Sequence, residues 1–267
     1  MEIVNNVLVK VNDEDIKDGT FIIPDRVTSI GEYAFPGCTS LVTITIPESV
    51  TSIGRGAFYF CSSLETITIP EGVTSIDEEA FYCCAALETI TLPDGLTSIG
   101  KDAFYHCYAL KTITIPEGVT SIDEEAFYCC TSLKPLTLPE SLTNICYSAF
   151  EGCSSLETVT IPKGVISIDE EAFYGCSSLK SLTLPDGLSN IGLSAFRGCN
   201  SLNQLITPYG SIEMRNYDVI QSYLYLYANS ILKNKYSNVA DFLNNNYVSY
   251  LVNSNFIYDG DAIAKFK

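Results

Sequence analysis

Histidine is nearly missing from these 267 residues: His106 stands alone. A single imidazole cannot build the paired-histidine metal sites or several of the acid–base constellations that enzymes use. No glycine-rich phosphate loop is present either, so nucleotide chemistry has no cradle. A carboxylate pair acting on sugars is the arrangement that sequence alone never rules out. The expectation is a non-enzymatic chain with no catalytic residue, no cofactor and no metal.

Basic residues are scarce too. Lys and Arg number 15 against 32 Asp and Glu, a formal charge of −17. From residue 208 onward five acids (Glu213, Asp218, Asp241, Asp259, Asp261) balance five bases (Arg215, Lys233, Lys235, Lys265, Lys267), so the excess negative charge lies in the first 207 residues. Such a surface repels phosphate backbones and anionic lipid. Neither nucleic acid nor membrane is expected as a partner, and a protein, a basic one in particular, is favoured. Long apolar runs are absent, none approaching the roughly 20 residues of a membrane span. The opening, MEIVNNVLVKVNDEDIKDG, lacks the basic start and apolar run of an export signal. A soluble, cytoplasmic monomer is expected from these absences.

What the chain has is repetition. Pro recurs at 24, 47, 70, 93, 116, 139, 162, 185 and 208, always 23 residues apart. Ala-Phe at 34/35 through 195/196, Cys at 38 through 199 and Leu at 41 through 202 keep the same period. A fixed period of this length means a supersecondary unit stacked on copies of itself, each burying its apolar side against the next. Thr-Ile-Thr-Ile alternates at period two, the pattern of a half-buried strand. Pro ends it, since it has no N–H for the ladder, and Glu-Gly or Asp-Gly turns the chain. Val-Thr-Ser-Ile crosses the opposite side. The spacing of three in Ala-Phe-x-x-Cys-x-x-Leu predicts a single helical or 3₁₀ turn. Nine such strands would form one parallel sheet about 40 Å long.

The reading gives a leader cap over 1–18, a solenoid over 19–208 whose first degenerate rung is Thr20-Phe21-Ile22-Ile23-Pro24, and a C-terminal segment over 209–267. The pattern fails at Leu202–Pro208, where Ile and Thr swap and Ile206 must be exposed or covered; covering is expected. Helical spacing of Ile220, Leu224, Tyr227 and Ile231, then of Val239, Leu243, Tyr247 and Leu251, predicts helices over about 213–234 and 238–253. They would form a helical cap or a small helical module.

Eight of the 11 cysteines fall in one repeat column between an inward Phe and an inward Leu. Equivalent thiols would lie about 5 Å apart, but parallel side chains point the same way rather than at each other. Reduced core thiols are expected, not disulfides or zinc ligands. Asp77-Glu78-Glu79, Asp123-Glu124-Glu125 and Asp169-Glu170-Glu171 recur in alternate rungs, which keeps the triplets from stacking at one-rung spacing. Carboxylates suit calcium, yet triplets about 10 Å apart cannot share an ion; a solvated face is expected.

Two surface columns are candidate partner contacts. Thr43/Thr45, Thr66/Thr68, Thr89/Thr91, Thr112/Thr114 and Thr158/Thr160 make a hydroxyl and methyl array on the outer strand face, of which Thr66, Thr68, Thr89, Thr91, Thr112 and Thr114 form the central block. Tyr59, Tyr82, Tyr105, Tyr128 and Tyr174 line up after Ala-Phe. The next position holds Phe60, Cys83, His106 and Cys129 in rungs two to five. An aromatic surface stripe is what binding hot spots are made of; a stacked ladder that only stabilises the solenoid is the competing account.

The unit Ile46-Pro47-x-x-Val50-Thr51-x-Ile53-Gly54-x-x-Ala57-Phe58-x-x-Cys61-x-x-Leu64 resembles the leucine-rich repeat, specifically its BspA-type subclass, and the match runs from about Thr20 to Pro208. The resemblance implies a curved leucine-rich repeat solenoid with its parallel sheet on the concave side, where the Thr columns would lie. It implies binding of other macromolecules, with host proteins proposed for surface members. It also implies a surface or secreted location, which here would need a non-classical route. A protein-binding module is the expected function. A glycan or extracellular-matrix adhesin, and a scaffold without a dedicated ligand, are the alternatives.

Overall fold

The computed structural model describes residues 1–134, 136–208, 210–213 and 265–266. The chain coils once per 23-residue unit into a parallel β-solenoid of about nine turns. On one side Thr20–Ile22, Thr43–Thr45, Thr66–Thr68 and Thr89–Thr91 pair in parallel, with Thr20 opposite Thr43 and Thr66 opposite Thr89. On another side, two-residue Ser-Ile or Asn-Ile strands from Ser29–Ile30 to Asn190–Ile191 form two further parallel ladders, Ile over Ile.

The Thr face is not one continuous sheet of nine strands. Among the described residues only a single bridge, Thr89 to Thr112, carries the ladder on after Thr89–Thr91, and regular pairing resumes at Thr158–Thr160, Ser181–Thr183 and Gln204–Thr207. The sequence places Pro135 at the first strand position of the interrupted stretch, and proline has no N–H to donate. The core runs through the break: Ile113, Ile115, Leu136 and Leu138 stay buried.

Inside, the Ala, Phe, Cys and Leu columns become vertical files. Eight Phe side chains, Phe35 to Phe196, are fully buried and stack with ring centroids 5.0–5.4 Å apart. From Phe35 to Phe173 each Phe N–H donates to the Ala carbonyl of the next rung, as from Phe58 to Ala80 at 2.9 Å. The carbonyl of the same Phe accepts a thiol from further along the chain, as from Cys84 at 3.2 Å. The pattern holds from Cys61 to Cys199. This explains the column: a small apolar side chain is needed there, and sulfur adds a weak donor for a buried acceptor. All cysteines are free, and burial pushes the thiols of Cys84, Cys107 and Cys130 far up, so they stay protonated.

The third side, predicted as a helical or 3₁₀ turn, is a series of isolated turns. Bonds of i→i+3 type occur, as from Ala57 N–H to Gly54 and from Cys61 N–H to Phe58. They never run on, because residues with left-handed backbone separate them and turn the intervening N–H groups to the next rung.

At the N-terminal end Glu2–Val4 and Val7–Lys10 form an antiparallel hairpin whose second strand joins Ser29–Ile30, and Leu8 and Val11 are buried. At the other end Gly210–Glu213 folds back antiparallel onto Gln204–Thr207, and Lys265–Phe266 pairs with it in turn. Leu205 is buried and Ile206 half-buried. Glu213, where the first helix was expected to begin, closes a strand; the rest of the expected helices, over 214–234 and 238–253, lies outside the described residues.

Candidate interaction surface

Each turn side carries two left-handed residues per rung. One column is Tyr33, Gly56, Glu79, Asp102, Glu125, Ser148, Glu171 and Ser194, with φ between 47° and 59°. The other is Gly37, Phe60, Cys83, His106, Cys129, Gly152, Gly175 and Gly198. An L-residue in this region carries a penalty of about 1 kcal/mol relative to glycine. The first column tolerates it in nearly every rung. The second uses glycine at both ends and abandons it in rungs two to five, where Phe60, Cys83, His106 and Cys129 sit at φ 59°, 57°, 58° and 56°.

The tyrosine stripe changes in the same four rungs. Tyr59, Tyr82, Tyr105 and Tyr128 stack with centroids 4.9, 4.7 and 4.6 Å apart and planes within 15°. Burial raises Tyr82, Tyr105 and Tyr128 to about 12. Beyond them the column reads Glu151, Tyr174, Arg197, so Tyr174, expected in the stripe, makes no ring contact among the described residues. Phe60 tilts against Tyr59 and Tyr82 and is 44% exposed. His106 lies on Tyr105 at 4.2 Å and stacks with Tyr108, itself 43% exposed. Both accounts of the stripe thus have geometry: the rings form a ladder, and they stand half-buried at the surface.

Cys83 Sγ is 3.9 Å from His106 Nδ1. The pair is not set up as a nucleophile and base. Burial raises the thiol and lowers the imidazole, opposite to what a thiolate–imidazolium pair requires. Cys129 likewise reaches toward the next rung, its sulfur lying 2.7 Å from where a Cβ on Gly152 would stand. Glycine returns there because the sulfur fills the space.

Charges flank the stripe. Arg55 reaches Glu78 and Glu79 at 3.2 and 3.3 Å, and Lys101 reaches Glu124 at 2.9 Å. The rungs of Arg55 and Lys101 thus set a base against the neighbouring acid triplets, while Cys146-Tyr147-Ser148 and Gly192-Leu193-Ser194 carry none. One column escapes this and stacks carboxylates in consecutive rungs: Glu79, Asp102, Glu125. Glu79 is held low by the Tyr33 hydroxyl at 2.6 Å, with Arg55 helping. Asp102 is pushed up to about 6, by burial first and by Glu125 second.

On the other candidate surface Thr43, Thr45, Thr66, Thr68, Thr89, Thr91, Thr112 and Thr114 are all exposed. The structure keeps this face apart from the tyrosine stripe, with the Phe file between. Tyr108 was missed by the sequence reading, though it was legible: its column otherwise holds only small or polar residues, from Thr39 and Ser62 to Ser177 and Asn200.

With the rungs and the stripe in place, the class is plain: a leucine-rich repeat solenoid. The sequence matches the BspA type leucine rich repeat region, in six copies, over residues 15–134 and 97–231, and the chain belongs to that family. A leucine-rich repeat protein from Bacteroides ovatus is 33% identical, with a TM-score of 0.58; the match covers 70% of this chain and 63% of that one. This chain thus spans less than two thirds of that protein's length. The leucine-rich repeat protein of T. pallidum is 32% identical over 68% of this chain and 77% of its own, with a TM-score of 0.49. A leucine rich cell surface protein from Faecalibacterium prausnitzii is 29% identical over 71% of this chain and 79% of its own, with a TM-score of 0.34. No curated protein is significantly similar to the chain. Proteins of this family generally mediate recognition or adhesion. No helix among the described residues is long and apolar enough to cross a membrane.

Proposed function

We propose that this chain is a non-enzymatic recognition module that binds a protein partner through the stripe Tyr59, Phe60, Tyr82, Tyr105, His106 and Tyr128. One observation carries the reading: rungs two to five replace glycine by larger side chains in left-handed backbone, beside the only stretch where four tyrosines stack among the described residues. Strain that the flanking rungs shed in this same column by using Gly37, Gly152, Gly175 and Gly198 points to a use for those side chains. Aromatic rings on a rigid frame lose little entropy on binding, which is why a few of them hold most of an interface's energy. The exposed Thr block from Thr66 to Thr114 adds contact area on a second face, and Tyr174 falls outside the proposed stripe.

The test is capture of a protein from lysates of the source cell and of a host by the immobilised chain. Replacing Tyr82, Tyr105 and Tyr128 with Ser abolishes capture while the circular dichroism spectrum stays native. Phe60→Gly relieves strain that offsets the loss of its ring contacts, so the fold is kept, and it weakens capture at least about tenfold. Undiminished capture by both variants refutes the stripe. Loss of structure in the triple variant with full capture by Phe60→Gly assigns the tyrosines to stability alone.

A further inference from the structure

The break in the Thr face leaves a cavity. Lys111, Thr112, Ser132, Lys134 and Ser155 line an open depression of about 360 Å³, with walls mostly of carbon. That is the low end of what holds a small ligand. Two lysines one rung apart are unusual in a chain of net charge −17. Their acids are only partly available. Lys111 pairs with Glu88 at 2.7 Å, whereas Glu157 is taken by Lys180 at 2.8 Å and feels Lys134 only through space. Lys134 forms no ion pair among the described residues. The hydroxyls of Thr112, Ser132 and Ser155 have no hydrogen-bond partner among them either.

An ammonium group and three hydroxyls that have no partner among the described residues, beside carbon walls, suit a ligand with one anionic group on a hydroxyl-rich ring. The surrounding negative field disfavours anything carrying many charges. We propose that this cavity binds an acidic sugar bearing a single carboxylate, with Lys134 on the carboxylate and Ser132 and Ser155 on the ring hydroxyls. The site lies on the Thr face, away from the tyrosine stripe, and stands or falls separately from it.

Titration of the full chain with sodium glucuronate, with glucose as the neutral match and inorganic sulfate as the bare anion, tests this by nuclear magnetic resonance. Glucuronate is expected to bind in the millimolar range, with glucose and sulfate each at least about tenfold weaker. Lys134→Gln loses about tenfold or more of the glucuronate affinity, the scale of one charge-assisted hydrogen bond, with its thermal unfolding unchanged. Tyr82→Ser leaves that affinity as it was. Absence of glucuronate binding, sulfate binding as tight as glucuronate, or full affinity in Lys134→Gln each overturns the proposal.

Discussion

From Phe58 to Phe127 and from Phe150 to Phe196 the buried rings keep nearly the same spacing, 5.1–5.4 Å in the first stretch and 5.2 Å in the second. Cys thiols meet Phe carbonyls in both. Outside, the two stretches part. The first carries Phe60, Cys83, His106 and Cys129 in left-handed backbone beside four stacked tyrosines; the second carries Gly152, Gly175 and Gly198, with Glu151 and Arg197 on either side of Tyr174. A repeat fixes what neighbouring rungs must share, which is the inward set. Outward positions contact solvent and one another, so they diverge without breaking the stack. Divergence that adds strain is the informative kind.

The comparison can be broken most forcefully at the core. Phe104→Ala and Phe173→Ala should each lose about 3–5 kcal/mol in urea unfolding. Similar losses would uphold a shared interior, whereas a several-fold difference would show that the halves are packed differently. A smaller effect tests the glycine column. Gly152→Ala and Gly175→Ala both place a Cβ on backbone at φ 72°, but at Gly152 it also meets Cys129 Sγ at 2.7 Å, while at Gly175 nothing is closer than 3.8 Å. Gly152→Ala should therefore be worse by about 1 kcal/mol. Equal losses would mean that the sulfur moves aside freely.

The smallest effect concerns Asp102. Its folded-state value, about 6, lies above the ordinary 3.8, so the unfolded chain gives up the proton first. Asp102 then lowers stability as pH rises through that window, and the loss is complete above it. Asp102→Asn should gain about 1 kcal/mol at pH 7, kept small by solvent screening at a half-buried site, and almost nothing at about pH 3, below both values. A gain of equal size at both pH values would trace to backbone preference instead of charge.

The sequence made the inward files legible because Ala-Phe, Cys and Leu recur without exception and burial leaves them no choice. It also marked rungs two to five, since Phe60, Cys83, His106 and Cys129 occupy a column that ends in glycine. The left-handed backbone behind that column is not drawn from the glycines, so the spacing of three gives a single helical or 3₁₀ turn where the chain makes a series of separate i→i+3 turns. Tyr174 was placed in the stripe on spacing alone; a ladder needs rings in adjacent rungs, and Glu151 and Arg197 deny it both. The break near Thr112 was hidden because Thr112-Ile113-Thr114 repeats the strand pattern faithfully, and pairing depends on the neighbouring rung as well.

The central claim is that rungs two to five hold side chains the fold would be more stable without. Urea unfolding of the variant Phe60→Gly, Cys83→Gly, His106→Gly and Cys129→Gly measures it directly. Relief of four left-handed L-residues, less the ring contacts of Phe60 and His106, predicts a gain of about 2 kcal/mol. A variant less stable than the natural chain would contradict the account, since those side chains would then be structural and their surface incidental.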